Sequence, residues 1–469
     1  MLEKIVNAVN DIVWSPVLVV LLVGAGLYFS VRTRFVQLRR IGLMVRLLFR
    51  KRDTEAAGGV SSFEAFCIAL SGRVGTGNIV GVATAIALGG PGSVFWMWVI
   101  AFFGASTAFV ESTLAQLFRF SHPTGFRGGP ACYIDQGLHA RPLAIIYALF
   151  TILATSLMLP TVQANGMATA VQNSFGIHPL ASGIFLAFLL GLVIVGGIQR
   201  IAKAAALVTP FMALIYIGIS LVILALNWRT VPDLLSLIVR NAFGIHPLCG
   251  GILGSTIMMG IKRGLFSNEA GQGTGAIPSA SADVRHPAEQ GLVQAFSVYV
   301  DTLLVCTATA LMILSAGTYN VLGADGAMLY AGAPELGANY VGFTQAAVDS
   351  VIGGGAGGFG SAFVSIALTF FVFTTLMAYY FYSESSILYL CQGKPNTEKV
   401  LVRVLQALIL AAIVFGSARE ANLVWTLGDI GVGIMAWVNV AAILILAPRA
   451  IRALREYEGT LKLKSNTDI

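Results

Sequence analysis

Eight consecutive residues, Ser71-Gly-Arg-Val-Gly-Thr-Gly-Asn78, place three glycines, two hydroxyls and a carboxamide inside an otherwise apolar stretch. A helix loses roughly 1 kcal/mol for each such glycine relative to alanine. In lipid, backbone freed from a helix finds no water to bond to, so something else must satisfy it. A ligand is one such partner. The amides of Thr76 and Gly77, at the start of the half-helix that follows, suit a carboxylate. Carbonyls near Ser71, Arg73 and Val74 suit a sodium ion, as in carriers with interrupted helices at mid-membrane. Close helix packing through small residues, Gly77-x-x-x-Gly81 included, explains the same glycines without a ligand.

A second glycine-rich stretch, Gly250-Gly-Ile-Leu-Gly-Ser-Thr256, follows about 180 residues later and brings the hydroxyls of Ser255 and Thr256. Interrupted helices at matching positions of two inverted halves point to the binding site of a secondary transporter. Gln163 sits in the middle of another apolar run, where an amide can bond an amino-acid head group or a neighbouring helix. Thr374 and Thr375 follow Phe-Phe-Val-Phe and offer adjacent hydroxyls for sodium, or for back-bonding to their own helix. Ionisable residues inside a membrane are costly. Of these, Arg73 is expected to pair with a carboxylate or face the cytoplasmic vestibule, Asp301 and Asp429 to sit near helix ends as ordinary interfacial residues, and Glu111 and Asp429 are also candidates for a structural ion pair. The stretch Arg263–Gly271 reads as a cytoplasmic helix end and turn, with Glu269 gating against Lys262 or Arg263. Met258 or Met259 is expected to wall a small side-chain pocket. No GxSxG, HExxH or usable pair of catalytic carboxylates is present, which argues against an enzyme.

The elements that position these residues are membrane helices. Apolar residues make up 57% of the 469 and charged residues 11%, where an average soluble domain carries about 25% charged. Mean hydropathy is +0.81. Long apolar stretches predict about eleven transmembrane helices, at 14–31, 62–88, 91–119, 142–172, 180–198, 204–227, 248–268, 288–316, 358–388, 399–416 and 421–448. The expected division is 1–61, an N-terminal helix and basic loop; 62–228 and 248–448, two five-helix repeats; and 449–469, a tail. The first helix is expected to stay rather than be cleaved as a signal peptide, because Glu3, Lys4 and Asp11 precede it and Val17–Ser30 runs straight into Arg32 and Arg34.

With the N-terminus outside and the C-terminus cytoplasmic, the inner loops hold 24 of the 29 Lys and Arg, which is the positive-inside bias. The formal net charge of +7 is thereby accounted for by topology in a lipid bilayer, with no nucleic-acid partner needed. Five dispersed cysteines read as packing residues. The repeated octapeptides Asn173–Leu180 and Asn241–Leu248 read as helix-entry segments, with Pro179 and Pro247 near a helix start.

The runs GRVGTGNIVGVATAIALGGPGSVFWMWVIAFFG, GGPACYIDQGL (128–138) and GIKRGLFSNEAGQGTGAI (260–277) resemble the signatures of the alanine or glycine:cation symporter family, collinearly from about residue 60 to 445. The resemblance implies a LeuT-type fold, an all-α five-plus-five inverted repeat with one extra N-terminal helix. It also implies sodium-coupled uptake of alanine or glycine across a bacterial inner membrane. By the same resemblance Thr76, Gly77 and Asn78, with Gln163, match the substrate site; Ser71, Val74, Thr374 and Thr375 match the sodium site; and Ser255 and Thr256 match the second interruption. Cys132 stands where the family often has tyrosine. A proton-coupled carrier of related fold, a sodium:glutamine symporter and, less so, a channel are the alternatives. The absence of an acid or histidine beside the first interruption, together with Thr374 and Thr375, favours sodium over protons.

Overall fold

The computed structural model describes residues 2–50, 59–245, 252–323, 326–352 and 358–467. Among these, eight helices are long and apolar enough to cross a membrane, and a ninth span is a helix pair bent by 50°. In chain order, α1 (Leu2–Val13) and α2 (Pro16–Arg32) come first. The bent pair is α3 (Ser62–Arg73) and α4 (Gly77–Gly89), followed by α5 (Ser93–Leu117) and α6 (Arg141–Phe175). The shorter apolar α7 (Pro179–Ile194) and the long α8 (Gly197–Leu226) follow. Next are α9 (Leu253–Asn268), the short α10 (Ala276–Ser281) and α11 (Pro287–Ala316). The chain closes with α12 (Phe359–Leu390), α13 (Pro395–Ser417) and α14 (Ala421–Thr467).

Nine of the expected spans have a membrane-capable counterpart among the described residues, while 180–198 and 248–268 correspond to the shorter α7 and α9; three further differences stand out. The first concerns the second interruption. Residues 253–268 form one unbroken helix, so Ser255 and Thr256 lie in a regular first turn, where the Thr256 hydroxyl donates to the Gly89 carbonyl at 2.7 Å. The break comes instead at Asn268–Gly275, the stretch expected to be a cytoplasmic turn, and it is buried throughout. Gly250, Gly251, His246, Pro247 and Cys249 lie outside the described residues.

The second difference follows from the first. The α9–α10 element starts beside Gly89, at the end of α4, and finishes at Ala282, which bridges Val60 just before α3. It therefore runs antiparallel to the α3–α4 pair across the same thickness. Lys262 and Arg263 belong to this crossing and not to a cytoplasmic loop. Removing them from the 24 leaves 22 inner charges against four outer ones, counting Lys4, Arg229, Arg240 and Arg419, and the bias keeps its sign.

Third, the connection 317–357 carries structure. Asn320–Leu322 pairs with Met328–Ala331 as a hairpin, and a helix spans Tyr340–Ile352. The Asp349 carboxylate of that helix takes the Ser361 amide at 3.0 Å, which fixes the start of α12. His178 caps α7, accepting the Leu180 amide at 3.3 Å, so the first repeated octapeptide does serve as a helix entry. The core runs along α5, which packs against α9 and α11, and along α6, which packs against α12 and α13.

Candidate functional site

The first interruption frees particular carbonyls. Val74 is extended, with φ −80° and ψ 94°. The Gly75 amide turns to the Asn78 Oδ1 at 2.9 Å, and the Asn78 amide to the Gly75 carbonyl at 3.3 Å. Those two amides are the donors that an unbroken helix would supply to the carbonyls of Ser71 and Val74. The Thr375 hydroxyl of α12 takes up the position instead: its oxygen lies 2.9 Å from the Ser71 carbonyl, 3.0 Å from that of Val74 and 2.8 Å from that of Phe371. One hydroxyl proton satisfies one of three acceptors. The result is four buried oxygens with surplus lone pairs and no anion, a donor set suited to a hard monovalent cation. Thr374 does not join it. Its hydroxyl bonds the Phe370 and Phe371 carbonyls of its own helix at 3.2 and 3.0 Å and faces the Met212 sulfur.

Next to these oxygens, the Thr76 amide donates to the Gln163 Oε1 at 3.0 Å, and the Gln163 Nε2 reaches the Tyr379 hydroxyl at 3.4 Å. The Thr76 hydroxyl is buried and makes no hydrogen bond. Gly75 lies between the two groups: a Cβ there would stand 2.7 Å from both the Gln163 Oε1 and the Thr375 Oγ1. Gly77 meets the second interruption, where a Cβ would come within 3.2 Å of the Ser267 Cα and of the Phe266 ring. Phe266 in turn packs on Trp425, with ring centroids 5.1 Å apart. Met259 lines a cavity that Trp425 also lines, beside Lys262 and Arg263.

Asn78 reads differently from its place in the sequence. Its Nδ2 donates to the Asp301 carboxylate at 2.6 Å, and that carboxylate also receives Ser267 at 2.9 Å and Thr302 at 2.7 Å. Asp301 is 0% exposed and lies in a widened turn, Tyr299–Cys306, midway along α11 rather than near a helix end.

The second interruption is tied down from three sides. Glu269 closes α9 in the left-handed region (φ 57°), and Gly271 and Gly273 continue at φ 96° and 87°. Glu111 of α5 accepts the Gly271 amide at 3.2 Å and the Asn439 Nδ2 at 3.0 Å, and Asn439 of α14 also donates to the Gly271 carbonyl at 2.9 Å. The Tyr147 hydroxyl of α6 donates to the Gln272 carbonyl at 2.6 Å. Glu111 is thus a ligand of the unwound backbone, not the half of an ion pair expected from its type.

Above the breaks, Asp429 of α14 receives Lys262 at 2.8 Å and also Arg263, both from α9. The Arg263 guanidinium lies 4.8 Å from the Trp425 ring centre. These groups line a cavity of about 280 Å³ with Thr84, Glu420 and Tyr340. The charged contact between α9 and its neighbour therefore uses Asp429, while Glu269 lies 3.3 Å from the Tyr382 hydroxyl. Arg73 has its Nη1 on Ser297 and Gln294 of α11.

The structure brings together Ser71, Val74, Gly75, Thr76, Gly77, Asn78, Gln163 and Thr375, and leaves Thr374, Ser255 and Thr256 outside the cluster. The sequence reading passed over Ser267 and Tyr379, and placed Asp301 at a helix end. Asn268-Glu-Ala-Gly-Gln-Gly-Thr-Gly275, with three glycines in eight residues, is as glycine-rich as the first break and was the available signal.

Two helices broken side by side, antiparallel, with a carbonyl cluster and unsatisfied polar groups between them, form a carrier site rather than a pore wall or a catalytic centre. Comparison with known proteins agrees. A solved structure of MhsT in complex with L-phenylalanine superposes with a TM-score of 0.57 at 13% identity, covering 86% of this chain and 99% of that one, a likeness of fold alone. The sodium/proton-dependent alanine carrier protein of a Bacillus species is 47% identical over 89% of this chain and 92% of its own length. GlnT of Bacillus subtilis, named a probable sodium/glutamine symporter, is 41% identical over 97% and 91%. The profile described as the sodium:alanine symporter family matches residues 1–469, and the chain belongs to that family of membrane transporters.

Proposed function

We propose that this chain carries alanine, and glycine as its smaller analogue, into the cell together with sodium, using the two interrupted helices as its site. The observation that carries the reading is the Thr375 hydroxyl set among the carbonyls of Ser71, Val74 and Phe371, because the break itself supplies the cation ligands. Thr76 and Gly77 would take the substrate carboxylate, Gln163 its head group, and Phe266 with Trp425 would exclude larger side chains. Sodium is cargo here, bound with the amino acid and released with it.

The same reading places eleven spans in the bilayer, counting α7 and the α9–α10 element. The antiparallel course of α3–α4 and α9–α10 supports a five-plus-five inverted repeat, 62–228 and 248–448, after an extra N-terminal helix. The charge bias supports an outer N-terminus, a cytoplasmic C-terminus and the inner membrane of a bacterium. A proton-coupled carrier is the second reading. Asp301 and Glu269 both lie beside the breaks, so the expectation that no acid stands there does not hold.

The test is uptake of labelled alanine, glycine and glutamine into proteoliposomes under an imposed sodium or proton gradient. Alanine uptake that requires inward sodium supports the proposal. Uptake driven by protons alone overturns the sodium site, and preference for glutamine transfers the reading to the relative that GlnT represents.

A further inference from the structure

Apart from the two interrupted helices, a cavity of about 780 Å³ lies between the end of α12, the start of α13 and the end of α7. A hairpin after α5, Phe120–His122 paired with Gly125–Arg127, adds His122 and Thr124 to its lining. Helix periodicity sets the lining in rows. Tyr380, Glu384 and Leu388 fall four apart on α12, and Glu398, Val402 and Gln406 fall four apart on α13. Lys399 and Arg403 make a second row on α13, one residue on from the first. Val195, Val400 and Val404 also line the cavity and are exposed. They belong to or adjoin apolar helices, so this side of the cavity is open where the protein meets lipid.

The charges in it are unequally satisfied. Glu384 is 8% exposed. Its Oε1 accepts the Tyr380 hydroxyl at 3.1 Å, while its Oε2 makes no hydrogen bond. Arg127 stands 3.8 Å from that oxygen, and its Nη1 and Nη2 donate instead to the Phe126 carbonyl and the Thr124 hydroxyl. Glu398 meets His122 at 3.4 Å. Lys399 and Arg403 are exposed and make no ion pair among the described residues. One cavity thus combines two carboxylates, two unpaired cations beside them and an apolar side open to lipid.

That pattern is complementary to a molecule with a cationic tip, an anionic centre and an apolar tail. A free phosphate would suit the basic row and leave the buried carboxylate oxygen bare, a cost for any buried polar atom. A simple cation would leave the basic row without a partner, and a soluble zwitterion has no tail to cover the valines. We propose that this cavity binds the headgroup of an aminophospholipid. The ammonium lies on Glu398 and Glu384, the phosphate on Lys399 and Arg403, and an acyl chain runs along Val195, Val400 and Val404. In the proposed orientation the lipid comes from the cytoplasmic leaflet. The site is separate from the cation and amino-acid cluster, and it stands whichever amino acid is carried.

The experiment is native mass spectrometry of the full chain in detergent, titrated with phosphatidylethanolamine or phosphatidylcholine of matched acyl chains. The second lipid keeps the phosphate and both charges, but its quaternary nitrogen has no N–H to donate. A hydrogen bond to a charged group is worth about 10- to 150-fold in affinity, so the first phosphatidylethanolamine should bind at least about tenfold more tightly than the first phosphatidylcholine. Glu398→Gln should narrow that ratio. Lys399→Gln with Arg403→Gln should weaken both lipids alike, because the phosphate is common to them. Glycerophosphoethanolamine, the same headgroup without chains, should fail to displace the lipid at equal concentration. Equal affinity for the two lipids overturns the proposal, as does a ratio that Glu398→Gln leaves unchanged, or a loss confined to one lipid in the double variant. Displacement by the soluble headgroup overturns the lipid as the source. Should a variant fail to fold, the wild-type ratio and the competition still decide.

Discussion

Replacing Thr375 by valine removes one oxygen and keeps the shape. That hydroxyl lies 2.9 and 3.0 Å from the two carbonyls released by the break at Val74. If sodium binds there, the variant loses one of the few oxygen ligands. A hydrogen-bonding or ligand contact to a charged group is worth about 1.5–3 kcal/mol. Each 1.4 kcal/mol is tenfold in affinity, so half-activation by sodium should rise roughly 10- to 150-fold. The Thr76–Gln163 contact does not involve Thr375, so alanine half-saturation at saturating sodium should stay within about threefold, below the ~1 kcal/mol of a typical lost bond. Thr374→Val is the matched control: its hydroxyl serves only its own helix and a methionine, and its sodium curve should stay near wild type. The assay is alanine uptake into proteoliposomes against graded external sodium. A sodium curve unchanged by Thr375→Val, or shifted as far by Thr374→Val, refutes the assignment.

Other substitutions separate position from chemistry. Gly75→Ala places a methyl 2.7 Å from both Gln163 and Thr375; sodium and alanine affinities should fall together, by about 5- to 150-fold, given the ~1–3 kcal/mol typical of overpacking. Thr256→Val should lower stability by about 1 kcal/mol, read as a drop in Tm, and leave both transport constants unchanged, because its bond to the Gly89 carbonyl joins two helix ends away from the site. Asp429→Asn leaves Lys262 and Arg263 buried without their carboxylate; breaking such a pair typically costs about 3–5 kcal/mol, and the thermal midpoint in detergent should drop sharply, with restoration in a Lys262→Met, Arg263→Met, Asp429→Leu triple variant, which leaves no cation unpaired.

The helices were legible because lipid demands about twenty apolar residues per crossing, and that demand writes itself into composition. The first break was legible for a related reason: glycines and an asparagine stand inside a run that would otherwise be one helix. The second break has the same composition but is flanked by Lys262, Arg263, Asn268 and Glu269, and such a charged stretch reads as a loop. The structure pairs the two cations with Asp429, 166 residues beyond Arg263, and a single sequence gives no sign of that partner. Asp301 was misplaced for the same reason. Its donors come from Asn78 and Ser267, two other helices, so its burial at mid-membrane is a property of the assembled site. Thr374 and Thr375 show the limit in its smallest form. Adjacent helix residues point about 100° apart, so at most one of the pair can face a given carbonyl cluster, and the sequence does not say which.

The position of Gly75 suggests how ion and substrate are coupled. On one side of it is the Thr375 oxygen, which belongs to the carbonyl cluster; on the other is the Gln163 oxygen, which holds the Thr76 amide; and a methyl at Gly75 would touch both. No side chain separates the two sites, only backbone. The peptide between Val74 and Gly75 turns its carbonyl oxygen toward the cation cluster, and its amide is held by Asn78. Rotating that peptide to suit an ion also moves the Thr76 amide that faces Gln163. A coupling of this kind must be reciprocal in binding free energy: whatever factor sodium contributes to alanine affinity, alanine contributes to sodium affinity. Glycine is the residue that makes the arrangement sterically available, and it does so by letting two helices and an unwound turn come within contact of one Cα.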